Sequence, residues 1–348
     1  GSNNTATFGG SPTINGSLTV DGTVNGAGTV TLAGDNTTHT ISGTFNPTMQ
    51  VDATGVTING STASGAASTI GTFTVNNNGS AVIQDIKQIT SVNVNTGASL
   101  QATLAGSSGG TITTDFQVQQ GATASLGNAN VGGTLQVTGA LTQPSSLTLI
   151  GDVSVTGATT IGSYATLDIG THTLTLGDDI SVASTASLAG SGTFKLTGST
   201  SGHDFAGKSI ANLLVAGAAA IGNDVTVTNS LTVDDGDNTA GEGLFTILPN
   251  YTVSVSGTVT LTDDFAASTG TLEVVGTTIQ APFATGLTAV QLPAVTIDAP
   301  GGVTFASTTS TNGTFQVQGA FTHKQGEISL GDNNLEFQGN YTYQGGSY

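Results

Sequence analysis

The densest group of oxygen ligands in this chain is the run Asp234, Asp235, Asp237 and Asn238, with Glu242 just beyond. Carboxylate and amide oxygens gathered on one loop suit a hard cation such as calcium. The order DDGDN lacks the spacing of an EF-hand loop, and no nonapeptide calcium repeat occurs. A solvated turn is therefore the favoured reading, and Asp234, Asp235 and Asp237 stand as the one weak calcium candidate, with no other cofactor expected. The doublets Asp178/Asp179 and Asp263/Asp264 read as turns in the same way. Glycoside cleavage needs two carboxylates facing one another across a sugar. Glu273 and Glu336 fall on one column of the repeat described below, but three coils apart they are separated by roughly 14 Å, too far to act as a pair. His39, His172, His203 and His323 share no spacing with one another or with a serine, so a triad has no support and they read as surface or turn residues. Lyase chemistry would call for an arginine, and the chain has none. The expectation is a protein that is not an enzyme.

Four basic residues, Lys87, Lys195, Lys208 and Lys324, face 22 acidic ones, for a formal charge of -18. That balance repels phosphate backbones and anionic membranes, so no nucleic-acid partner and no membrane insertion are expected. No run of about 18 apolar residues is present to span a bilayer. The absence of cysteine rules out a disulfide framework and thiolate metal sites and is silent on compartment. The chain opens on glycine, as expected where a leader has been removed or a Gly-Ser pair appended. Aromatic residues gather at one place: Phe337, Tyr341, Tyr343 and Tyr348 close the chain, and Phe8 ends a short β-prone TATF segment near its start.

The elements that must carry these residues are written as a repeat. An apolar residue, a polar one and a second apolar one recur seventeen times, among them Leu18/Val20, Val56/Ile58, Phe73/Val75, Leu135/Val137, Val153/Val155, Leu231/Val233, Val253/Val255 and Leu335/Phe337. The mean period is about 20 residues, with variation of the kind loops absorb. The intervening residue is usually Thr, Gln, Asn, Ser or Glu, the period-two mark of a strand with one face buried and one wet. Glycine follows two residues after the second apolar position in nine repeats, Gly22, Gly139, Gly157, Gly198, Gly217, Gly257, Gly276, Gly319 and Gly339, where a corner demands a backbone conformation that other residues resist. A second corner is visible in TLAGDN, TLGDDI and SLGDNN, so each coil holds at least two strands and a third is expected. A unit of this size cannot bury its own apolar face, but stacked coils share one core. Tandem sandwiches would need a longer repeat, and none is visible.

The repeat resembles those of filamentous haemagglutinin-like and autotransporter passenger proteins, as in GSLTVDGTVNGAGTVTLAG at 16 to 34 and GTFQVQGAFTHKQGEISLG at 313 to 331. The resemblance implies a β-helix on a bacterial-type surface, acting in adhesion or as a fibre. Taken together, the sequence predicts an all-β chain, a single right-handed parallel β-helix (β-solenoid) of about 17 coils of about 20 residues. The solenoid is expected to fill 1–348 as one domain, with 1–16 as an N-terminal edge segment and 338–348 as an aromatic C-terminal edge. The expected function is that of a secreted or cell-surface structural protein, a homo-polymer joined end to end through Phe8, Phe337, Tyr341, Tyr343 and Tyr348. The alternative is an adhesin stalk or passenger that binds glycans or a host surface protein through its lateral face.

Overall fold

The computed structural model describes residues 4–61, 68–105, 109–198, 202–234, 245–263, 265, 270–284 and 287–345. The fold is all-β, without helix, and forms a parallel β-solenoid of about 15 turns. Two compact units are distinguished, Gly1–Thr175 with Val182–Ala189, and Leu176–Ser181 with Gly190–Tyr348.

In the first unit, three strands follow one another in each coil and each continues a ladder of its own. One column runs through Ala6, Val24, Phe45, Ile70, Ile89, Ile112, Val131 and Val155, each residue opposite the next in register. A second runs through Ile14, Leu32, Val51, Val75, Val94, Val118, Val137 and Ile161. The third carries His39, Ile58, Ile83, Ala102, Leu126 and Leu149. A one-residue slip would turn every apolar side chain outward, so the alternation of buried and wet residues fixes the register.

The second unit is built alike but with a more aromatic core. Phe194, Leu213, Leu231, Val259, Ile279 and Phe305 form one ladder. Val225, Val253, Leu272, Val295, Phe321 and Tyr341 form another. Phenylalanines also meet in pairs in this core, with ring centroids 5.1 Å apart for Phe245 and Phe265 and 5.1 Å for Phe283 and Phe315. Such aromatic pairs add to the burial of their area.

The turn count falls short of the seventeen repeats because the apolar pairs do not trace one column. Val56/Ile58 lies on the third column of the first unit, Phe73/Val75 and Leu135/Val137 on the second, and Val153/Val155 on the first. In the second unit Leu231/Val233 and Val253/Val255 belong to one coil, since the chain passes through Phe245–Ile247 and Thr252–Val255 before Thr258–Leu261 continues the ladder of Leu231. The three columns have the same alternation, so the sequence pattern passes from one to another without a break.

The corner glycines also act for a different reason than backbone conformation. None of the nine has a positive φ. A Cβ on eight of them would instead lie closer than 3.0 Å to a backbone carbonyl oxygen of a neighbouring coil, as with Gly217 over Thr197 and Gly157 over Gly133. Gly319 meets the backbone of Ala294. It is the close approach of coil to coil that excludes a side chain there.

The core admits a few hydroxyls. Thr159 is fully buried and its Oγ1 finds no hydrogen-bond partner. A buried, unsatisfied hydroxyl costs about 1–3 kcal/mol, so the isosteric Thr159→Val change is expected to stabilise the chain by about 1 kcal/mol, read as a rise in the urea midpoint. Gly257→Ala, whose new methyl would collide with the carbonyl of Asn229, is expected to lower stability by about 1–3 kcal/mol in the same titration.

Candidate functional site

The last coil of the second unit gathers the terminal aromatic residues. Tyr341–Tyr343 pairs in parallel with Phe321–Gln325, setting Tyr341 opposite Phe321 and Tyr343 opposite His323. Side chains on facing positions of neighbouring strands therefore stack. Tyr341 lies nearly parallel to Phe321 at 5.8 Å, Phe337 meets both at 4.8 and 5.3 Å, and Tyr343 stands edge-on to His323 at 5.6 Å. Phe321 and His323 are fully buried, whereas Phe337, Tyr341 and Tyr343 are 38, 40 and 54% exposed. The three exposed rings are neighbours on the last described coil.

The other predicted site residues are distributed more widely. Phe8 belongs to the first unit, where it is half-buried and its N–H donates to Asn25 O at 2.9 Å. Tyr348, Asp235, Asp237, Asn238 and Glu242 lie outside the described residues. Asp234 is half-buried and its N–H donates to Val215 O. No cluster of three or more metal-ligating side chains occurs among the described residues. Glu273 and Glu336 do not share a column: Glu273 pairs with Thr296, and Glu336 with Gln316 on a different ladder. Glu273 is instead bridged by Lys324, whose Nζ lies 3.1 Å from Glu273 Oε1 and 3.2 Å from Asp298 Oδ2. The Glu273 and Asp298 oxygens raise the pKa of Lys324. Asp298 is lowered by hydrogen bonds from Gln325 and then Lys324.

Three of the four histidines are core residues rather than surface ones. His39, His203 and His323 are buried to within 1%. His39 Nδ1 accepts the N–H of Leu18 at 3.0 Å while Nε2 meets Thr37 Oγ1 at 2.9 Å. His203 Nδ1 accepts the N–H of Ile180 at 3.3 Å. His39 and His203 each stand in place of an apolar residue and close a backbone group of a neighbouring coil, whereas His323 Nε2 meets Gly326 O at 3.0 Å, a use that type and spacing alone do not reveal. Asp263, expected on a wet turn, is also fully buried, its N–H donating to Val233 O at 3.2 Å; Asp264 lies outside the described residues.

Several aspartates have an equally structural task. Asp35 Oδ1 accepts both the N–H and the hydroxyl of Thr54 in the next coil, at 2.8 and 2.9 Å, and these bonds lower its pKa. Asp115 holds Thr134 identically, Asp152 takes the N–H of Thr173 and Asp224 that of Thr252. Acidic residues at corners thus cap the following coil, which accounts for part of the chain's charge without a bound cation.

Comparison with protein-family models, with curated proteins and with solved structures finds no match to the chain.

Burial lowers the pKa of His39 and of His203, in the latter against the opposing pull of Asp179 and Asp178. The folded state therefore binds fewer protons than the unfolded chain just below the ordinary histidine pKa of about 6.5. Stability is expected to be level above about pH 7 and to fall as pH drops through the range below 6.5, until the folded-state histidines are themselves protonated. Urea midpoints measured from pH 8 to pH 5 check this, and a His39→Gln/His203→Gln chain should show a flatter profile.

Proposed function

We propose that the chain is a structural subunit of a secreted or cell-surface fibre or layer, in which β-solenoids associate end to end through the edge of the last coil. The observation that carries this reading is the cluster of half-exposed rings that Phe337, Tyr341 and Tyr343 present on the last described coil. Half-exposed aromatic rings add apolar area to whatever covers them. The complementary face is the first coil of a second copy, where Thr5–Thr7 is exposed and pairs with Thr23–Asn25. The contact would be heterologous and would propagate.

The resemblance of the repeat to filamentous haemagglutinin-like and autotransporter passenger proteins supports the surface location. The composition does likewise, since a polar, sparsely basic exterior suits neither nucleic acid nor an anionic bilayer. With a formal charge of -18, copies repel one another at low ionic strength, so association should strengthen as salt is added.

Light scattering and negative-stain electron microscopy over a concentration series test the proposal. The wild-type chain is expected to give particles that lengthen with concentration and with salt, and a Tyr341→Lys/Tyr343→Lys chain is expected to stay monomeric while melting as the wild type does. Wild-type chain that remains monomeric at every concentration and salt would overturn the reading.

A further inference from the structure

A lateral region of the first unit combines three features that shaft-building does not require. The first is a corner that recurs between the second and third columns. Its turn is closed by a backbone bond such as Asn95 O to the N–H of Ala98, Gln119 O to that of Ala122 and Gly162 O to that of Ala165. One residue of the corner adopts positive φ in coil after coil: Asn36, Gly55, Asn78, Gly97, Gly121 and Tyr164. Glycine and asparagine enter this region readily, whereas a bulky aromatic residue there is an outlier held against its own preference. Tyr164, at φ 55°, is the exception in the series, and its ring is 38% exposed. A glycine would make the turn at lower cost, so the turn does not explain the tyrosine.

The second feature is the neighbouring corner, which is lengthened into a loop over 138–144. Its own bridge joins Ala140 and Gln143, and it presents Leu141, at 73% the most exposed large apolar side chain of the described residues. The loop is wedged between coils: Gln143 O accepts the N–H of Gly121 on one side, and Gly139 abuts the backbone of Tyr164 on the other. Leu141 and Tyr164 are thus placed on adjacent corners.

The third is an open depression of about 360 Å³ beside these corners, lined by Thr96, Gln117, Gln119, Gln120, Gln136 and Thr138. It falls at the small end of the range of about 300–1,000 Å³ found for small-molecule sites. Gln117 and Gln136 face each other in register on successive coils. Elsewhere in this unit such amides bond to a side chain of the neighbouring coil, Asn46 to Asn25 at 2.7 Å, Asn76 to the Asp52 carboxylate at 2.8 Å and Asn95 to Asn76 at 2.8 Å. Among the described residues no hydrogen bond engages the carboxamides of Gln117, Gln119, Gln120 and Gln136, which are half-buried or exposed.

From these features we propose that the depression bounded by Gln117, Gln119, Gln120 and Gln136, next to the corners that carry Tyr164 and Leu141, binds a neutral oligosaccharide. A carboxamide offers a donor and an acceptor side by side, which matches two adjacent sugar hydroxyls. Tyr164 and Leu141 supply the apolar surface against which the C–H face of a pyranose packs. The lining is uncharged within a strongly acidic chain, which selects against anionic sugars. Amides repeating at the coil spacing of about 4.8 Å suit an extended ligand better than a single ring. The site is independent of association through the terminal coil.

Calorimetric titration and ligand-observed NMR of the whole chain test this, with maltoheptaose, cellopentaose, chitopentaose and mannopentaose as neutral probes and a heparin octasaccharide as the anionic control. At least one neutral probe is expected to bind with a millimolar or tighter Kd, and the heparin probe is not. Gln117→Ala/Gln136→Ala and Tyr164→Gly should each weaken binding by about tenfold or more. Tyr164→Phe should retain binding, and Tyr164→Gly should melt no lower than wild type, which separates loss of a binding ring from loss of fold. The same titration in the Tyr341→Lys/Tyr343→Lys chain should be unchanged, so failure of the end-to-end reading leaves this one standing. Absence of binding by all four neutral probes, or binding that survives both weakening variants, would overturn the proposal.

Discussion

The structure depends on the distance at which one coil lies upon the next. Parallel strands close their backbone hydrogen bonds only at about 4.8 Å, and every coil must meet that spacing on three sides at once. Side chains on the strands point inward or outward and tolerate it easily. At the corners the chain turns within that same height, and a Cβ directed at the neighbouring carbonyl leaves no room. Gly157 over Gly133 and Gly217 over Thr197 show the solution, which is to omit the side chain. The aspartate caps on Thr54, Thr134, Thr173 and Thr252 are the polar counterpart, since they satisfy an amide of the following coil from outside the ladder.

This constraint decides what the sequence could reveal. Strand character, the shared core and the position of corners were legible, because each is a local matter of alternation and of glycine placement. The coil count was not, since three columns with identical alternation look alike in one dimension and the pattern passes unnoticed from Ile58 to Phe73 and from Val233 to Val253. Burial of His39 and His203 was hidden for a related reason. Each stands where an aliphatic residue would serve, and only the neighbouring coil's N–H, brought near by folding, explains it. Of the terminal aromatic group, Phe337, Tyr341 and Tyr343 do come together, as their clustering in sequence suggested, while Glu273 and Glu336 part onto separate ladders. The lateral amides escaped notice because their neighbours in space are a full coil away in sequence. Tyr164 carries no local sign of strain: the φ of a residue is set by the corner it occupies.

Ladders between neighbouring coils also set how the chain would yield to force. A coil drawn from an end gives up its hydrogen bonds to one neighbour, and the coil beneath then takes its place at the edge. Each one released exchanges about 4.8 Å of axial height for roughly 70 Å of extended chain, at about 20 residues and 3.4 Å apiece. A solenoid of this construction therefore lengthens in small steps and dissipates work at each of them, behaving under tension as a shock absorber whose capacity is the number of its turns.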